Sequence, residues 1–361
     1  MSRKLRIATV VGARPQYIKL LPLHRELVTL KVDHRIINTG QHYDYLMAGV
    51  FFNELKLPKP SASLAVGSGG ASEMTARVID GCCKALKKLS PDLVVVIGDT
   101  NSTLGGAIAA AQMQLPLAHI EAGLRCHDMS VPEELNRAVT DRISNLLLCP
   151  TPQSVKNLKD EGITRGVYLC GDVLYDVLTH ANPNREFAQS FLELHGLSFG
   201  GYYLATIHRA DSVDSKENLT KLVSMLTAQK APVLFPVHPR TQKNLRKFGL
   251  LGKLSGSKHI YMTEPLGYRE SLAAISGSRM VLTDSGGLQR EAYFLRVPTL
   301  LLREVTEWVE INRSGGSKIV GFDRAKLLRE IKSGNFRFAN RGICRLGASR
   351  RIARRLVEFV R

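Results

Sequence analysis

VVVIGDTNSTLGGA, residues 94–107, decides the fold. Three valines and an isoleucine run straight into Gly98 and Asp99, and an alanine-rich stretch of helical pattern follows. A strand that is apolar at every position is buried on both faces, which is the situation of a parallel sheet between helix layers. Asp99 stands where that strand gives way to the helix. Two readings of its carboxylate are open from this stretch alone. It caps the helix, because Asp oxygens accept orphan helix amides. Or it does chemistry, because ligands of open α/β sheets sit beyond the carboxyl ends of the strands.

Outward from this point the pattern repeats. LRIATVVG (5–12), DHRIINTG (33–40), LPLAHIE (115–121) and NLLLCP (145–150) are further short apolar runs with helical patterns between them. QHYDYLMAGVFF (41–52) is one such pattern, and EMTARVIDGCCKALKKL (73–89) sets Met74, Val78, Cys82 and Leu86 at helical spacing. YYLATIH (202–208) restarts the alternation, followed by APVLFPVH (231–238), HIYMTEP (259–265), RMVLTDS (279–285) and VPTLLL (297–302). The break falls near residues 172–200. The expected architecture is α/β, with two Rossmann-like doubly wound domains over 1–180 and 200–340. A length of 361 residues suits two cores better than one.

Composition narrows the class. Hydrophobic content is 44% and no apolar run is long enough to span a membrane, so a soluble, cytoplasmic protein is expected. The apolar part of the N-terminus is short and lacks a small-residue cleavage pattern, which sets it apart from a signal peptide. Six scattered cysteines form no Cys-x-x-Cys pair, so no structural zinc is expected. A net charge of +18 suits an anionic partner. Part of that charge lies in RLGASRRIARRLVEFVR (345–361), where Ile352, Leu356 and Phe359/Val360 form one apolar stripe. The segment 341–361 is read as a basic helix packing back on the body rather than as a membrane anchor. Nucleic-acid binding is not expected, since no zinc-finger or RNA-binding aromatic pattern occurs.

Polar residues concentrate at the expected strand ends. GARPQYIK (12–19) is a turn entering a helix, with Arg14 and Lys19 in reach of an anion at the helix N-terminus. Neither a Gly-x-Gly-x-x-Gly nor a Walker A pattern is present. TDSGGLQREA (283–292) offers a hydroxyl and amides at Ser285, Gly286 and Gly287 to a phosphate, with Glu291 placed for paired ribose hydroxyls. Glu121 ends a strand. Glu133 and Glu134 follow Pro132 at a helix start, where the helix dipole alone would favour acids. His208 lies at the end of the first strand of the second domain, and His238 and Arg240 repeat the pattern one strand later.

The motifs GARPQYIK, TGQHYDY, GDTNSTL, HIEAGLR, PEELNR, ATIHRAD, PVHPRT, EPLGY, TDSGGLQREA and LREVTEW follow in one order from about residue 5 to 325. In that order the chain resembles the non-hydrolysing UDP-N-acetylglucosamine 2-epimerase family. The resemblance implies two Rossmann-like domains facing a central cleft, as in GT-B glycosyltransferases. It also implies interconversion of UDP-GlcNAc and UDP-ManNAc with no nicotinamide and no metal, a UDP-sugar as the partner, and a homodimer. By resemblance Asp99, Glu121 and Glu133 match catalytic carboxylates, and His208 matches a histidine near the diphosphate. Arg14 and Lys19 match basic groups of the nucleotide-sugar site, Ser285 to Gly287 the phosphate turn, and Glu291 the ribose-binding acid. The loop CHDMSVP (126–132) is shorter than in many bacterial members and is like that of epimerases for UDP-2,3-diacetamido uronic acids. A hydrolysing epimerase, releasing ManNAc and UDP, is the other alternative.

Overall fold

The computed structural model describes residues 3–40, 57–67, 69–339 and 342–361. The helical pattern at 41–52, and with it most of TGQHYDY, lies outside the described residues. The chain divides into two compact units, one formed by residues 1–177 with 342–361 and the other by 178–341.

The first unit carries a seven-stranded parallel sheet. Its strands are β1 (Arg6–Val11), β2 (Asp33–Asn38), β3 (Ala62–Ser63), β4 (Leu93–Ile97), β5 (Leu117–Ile120), β6 (Leu146–Cys149) and β7 (Val167–Leu169). They lie in the order β3-β2-β1-β4-β5-β6-β7. Side chains of successive strand residues point to opposite faces, so a run apolar at every position serves two cores. Val94 and Val96 pack with Val78, Cys82 and Leu86 of helix Ala71–Leu89 on one side. Leu93, Val95 and Ile97 pack with Leu20, Leu23 and Leu27 of helix Arg14–Thr29 on the other. The second of these cores also takes in Ile352, Leu356 and Val357 of the C-terminal helix Ala348–Val360, which belongs to this unit. That helix has no acid in its first turn. Asp176, from helix Val173–Ala181, supplies one by accepting from the Gly347 and Ser349 amides, each at 2.7 Å.

The second unit carries a six-stranded parallel sheet. It comprises β8 (Tyr203–Thr206), β9 (Val233–Pro236), β10 (Ile260–Thr263), β11 (Met280–Thr283), β12 (Thr299–Leu301) and β13 (Ser317–Ile319). Their order is β10-β9-β8-β11-β12-β13. Its main core gathers Leu219, Leu222, Met225, Phe235, Leu245, Leu282 and Leu300.

In both sheets the order reverses once, between β1 and β4 in the first and between β8 and β11 in the second. At such a switch point the connections leave to opposite faces and a crevice opens beyond the strand ends. Residues that follow β1, β4, β8 and β11 are therefore the places to look for a site. Among the described residues no helix is long and apolar enough to cross a membrane.

Candidate active site

At the switch point of the first unit, three turns are built against one another. Gly12 ends β1 where an added Cβ would come within 1.9 Å of Thr39 Oγ1 and 2.2 Å of Ser102 Oγ, so only glycine fits. Gln16 then organises the turn. Its Oε1 accepts from the Gly12 and Ala13 amides at 2.7 and 3.0 Å, and its Nε2 donates to the Ile97 carbonyl at 2.8 Å. A side chain of the first turn thereby clamps the end of β4. After β4, Gly98 adopts φ +71°, in the left-handed region, and turns the chain so that Asp99 stands at the helix entrance.

Asp99 is not the cap of that helix. The cap is Thr100, whose hydroxyl accepts from the Thr103 amide. The Asp99 carboxylate instead takes a hydrogen bond from Arg137, a guanidinium that is 1% exposed. Arg137 also holds Glu134 at 2.7 Å, and Asn136 donates to the Asp99 carbonyl at 2.9 Å. Burial works against the Glu134 charge. The Cys126 amide, the Arg137 guanidinium and the His127 amide outweigh it and hold the carboxyl below the usual range. Glu134 is thus a buried anchor of the loop before helix Pro132–Ile143, while its neighbour Glu133 is half-buried in the helix's first turn.

Strand β5 ends at Ile120, one residue short of the expected limit, and Glu121 follows it with φ +72°. A non-glycine residue in that region carries strain, and such strain concentrates where a side chain must be aimed. Glu121 and Lys19 are both buried, and Lys19 Nζ donates to Glu121 Oε2 at 2.7 Å. Lys19 thus meets Glu121 through one of the three donors of its ammonium. Arg14 is half-buried at the start of its helix.

The switch point of the second unit has a different chemistry. Asp284, fully buried after β11, accepts from the amides of His208 at 2.9 Å and Arg209 at 2.9 Å. The His208 ring, 38% exposed, has Nδ1 at 3.5 Å from Asp284 and lies 5.5 Å from the His238 ring. Ser285 caps helix Gly286–Phe294 by accepting from the Leu288 amide. The amides of the first helical turn, Gly286 and Gly287 among them, have no intrahelical acceptors by geometry, the arrangement that suits an anion. A Cβ on Gly286 would meet Glu307 Oε1 at 2.3 Å, so a larger residue there would have to displace the Glu307 carboxylate. Glu291 lies buried along the same helix. Behind the turn, Arg303 binds Glu307 at 2.9 Å and Thr306 at 2.8 Å, and Arg290 stacks over buried Trp308.

The first unit thus brings together Asp99, Glu121 and Lys19, and the second His208, Ser285, Gly286 and Gly287. Sequence reasoning did not find Gln16, Arg137, His119, Asp141 or Asp284. The motifs contain all of them except Asp141, but nothing in the spacing says which polar residue of a motif turns inward. Among the described residues no group of three or more His, Cys, Asp or Glu is arranged to hold a metal.

Comparison with known proteins places this geometry. A family model described as UDP-N-acetylglucosamine 2-epimerase matches residues 26–341. A UDP-N-acetylglucosamine 2-epimerase homolog of Methanococcus maripaludis is 43% identical, over 92% of this chain and 93% of that protein. The UDP-2,3-diacetamido-2,3-dideoxy-D-glucuronate 2-epimerase of Pseudomonas aeruginosa is 39% identical, over 91% of this chain and 92% of that protein. The crystal structure of Methanocaldococcus jannaschii UDP-GlcNAc 2-epimerase in complex with UDP-GlcNAc and UDP superposes with a TM-score of 0.90. It shares 37% identity and covers 98% of this chain and 100% of that one. The fold is accordingly GT-B-like, built of two Rossmann-like units, and the chain belongs to the UDP-N-acetylglucosamine 2-epimerase family.

Proposed function

We propose that this chain inverts C2 of a UDP-linked N-acetylhexosamine, converting UDP-GlcNAc and UDP-ManNAc into one another. The C2 hydrogen is not next to a carbonyl carbon, so simple deprotonation is not available. In the proposed route the C1–O bond breaks with its electron pair going to UDP. A carboxylate takes the C2 proton, and a C1–C2 double bond forms. UDP then adds back to C1 while a proton is delivered to the opposite face of C2. Atoms balance without an oxidant or a cofactor.

The observation that carries this reading is the pair of carboxylates at the ends of adjacent strands, each set against its own buried cation. Inversion needs acid and base groups on two faces, and a single base would only restore the starting sugar. Asp99 and Glu121, with Glu133 nearby in sequence at the helix entrance, are the proposed proton carriers. Arg14 and His208 meet the charge that grows on the leaving diphosphate, together with the Ser285–Gly287 turn. Glu291 takes the ribose hydroxyls. The proposed domain roles follow: the acids and Arg14 lie in residues 1–180, and the other UDP-binding groups in 200–340. We also place the protein in the cytoplasm as a homodimer, which light scattering on the purified protein tests.

Proton NMR with UDP-GlcNAc in deuterated water tests the function. Loss of the C2 proton signal with appearance of UDP-ManNAc is expected. Release of free ManNAc and UDP would make it a hydrolysing epimerase, and no reaction would refute the reading. A second reading, the same inversion on a UDP-2,3-diacetamido uronic acid, is favoured by the identity to the Pseudomonas aeruginosa enzyme and by the short 126–132 loop. Competition between the two UDP-sugars decides between them.

A further inference from the structure

His119 lies on β5 with no exposure to solvent, two residues before Glu121. Its Nε2 is 2.8 Å from the Gly98 carbonyl and its Nδ1 is 2.7 Å from Asp141 Oδ1. A carbonyl oxygen only accepts, so Nε2 carries hydrogen. Burial opposes the charge on Asp141, but His119 and Arg125 outweigh it and keep that carboxyl low, hence ionised and accepting. Asp141 holds the ring from its other side, at Nδ1. Arg125 binds Asp141 at 2.7 Å and is itself paired with Glu161 at 2.7 Å. His119, Asp141, Arg125 and Glu161 form one hydrogen-bonded chain.

This chain touches both turns that carry the proposed proton carriers. Gly98 is held from two sides, its amide donating to the Ile120 carbonyl at 2.9 Å and its carbonyl accepting from His119. The next residue is Asp99. Asp141 Oδ2 accepts from the Gly123 amide at 3.0 Å, just past Glu121. We propose that His119 is a positioning residue: held by Asp141 through Nδ1, it donates from Nε2 to the Gly98 carbonyl and so fixes the turn that carries Asp99. What that positioning serves rests on the epimerase reading above.

Two substitutions separate the two bonds. Asn at 119 puts an amide nitrogen near the place of Nδ1 and loses the bond to Gly98. Gln puts one near the place of Nε2 and keeps it. For His119→Asn, kcat for C2 exchange should fall about 100-fold with KM within about threefold, the cost of misplacing a reacting group by about 1 Å. His119→Gln should stay within about tenfold of the parent. Equal losses in both variants, no loss in the Asn variant, or a change in KM alone would overturn the proposal. Amide hydrogen exchange over residues 98–103 should quicken in His119→Asn and not in His119→Gln; the reverse order overturns it. In the unsubstituted protein, nitrogen NMR should find Nε2 of His119 protonated, and a hydrogen-free Nε2 overturns it even if the variants do not fold. If the unsubstituted protein leaves both UDP-GlcNAc and the UDP-2,3-diacetamido uronic acid unchanged, the epimerase reading fails, and the amide exchange and the ring spectrum still decide on positioning.

Discussion

At the residue scale, the two carboxylates differ in what their cations do. Asp99 remains one-third exposed beside Arg137, whereas Glu121 and Lys19 are nearly sealed from water. Asp99→Asn and Glu121→Gln, made separately, should each cut C2 hydrogen exchange by at least about 100-fold, the usual worth of a positioned acid or base. UDP affinity, measured by calorimetry, should hardly move in either. Lys19→Met removes the buried ammonium that pairs with Glu121, and denaturant unfolding should show a loss of about 3–5 kcal/mol. The acids were legible in the sequence because each sits at the end of an apolar run. Their partners were not. Arg137 reads as an ordinary helix residue until the fold brings it to Asp99, 38 positions away. Gln16 is silent for the same reason, since its clamp on Ile97 spans 81 positions.

Between residue and domain stand the strands and helices. The long apolar runs all appear as strands of the two parallel sheets, because burial on both faces leaves no other pattern. The short edge strands β3, β7 and β13, of two or three residues, carry no such signature and were not seen in the sequence. At the start of β2, His34 is wedged under helix Arg14–Thr29. Its Nε2 meets Thr9 and its Nδ1 meets His24. Burial, reinforced by His24 and opposed by Asp33, pushes its pKa down to about 3. The folded value lies below the unfolded one of about 6.5, so the unfolded state binds more protons between them. The stability this group contributes is complete above about pH 6.5 and is lost as pH falls toward 3. Urea unfolding of His34→Gln should accordingly vary less between pH 6.5 and 4 than the parent, on this principle of linkage. The C-terminal helix depends on a cap it does not own. Asp176→Ala should cost about 1–2 kcal/mol in denaturant unfolding and loosen residues 347–360 to proteolysis.

For the whole molecule, charge and connectivity matter most. A surplus of 18 positive charges draws a nucleoside diphosphate sugar inward, so the association rate of UDP should fall as salt rises, which stopped-flow measurement checks. Bound UDP at 100 times its Kd should add about 2.7 kcal/mol of stability. The gain should shrink in Glu291→Ala. Connectivity has a consequence for biogenesis. Residues 178–341 interrupt a unit whose last helix, Ala348–Val360, follows them in the chain. On the ribosome, the later-encoded unit has its full complement of residues first, while the earlier one waits, its hydrophobic face open, for the closing helix to emerge. Until residues 348–360 emerge, the nascent first unit lacks the side of its core that Ile352, Leu356 and Val357 fill, and it is open to aggregation and to chaperones. A substitution in that late-made helix would injure the unit that was begun first.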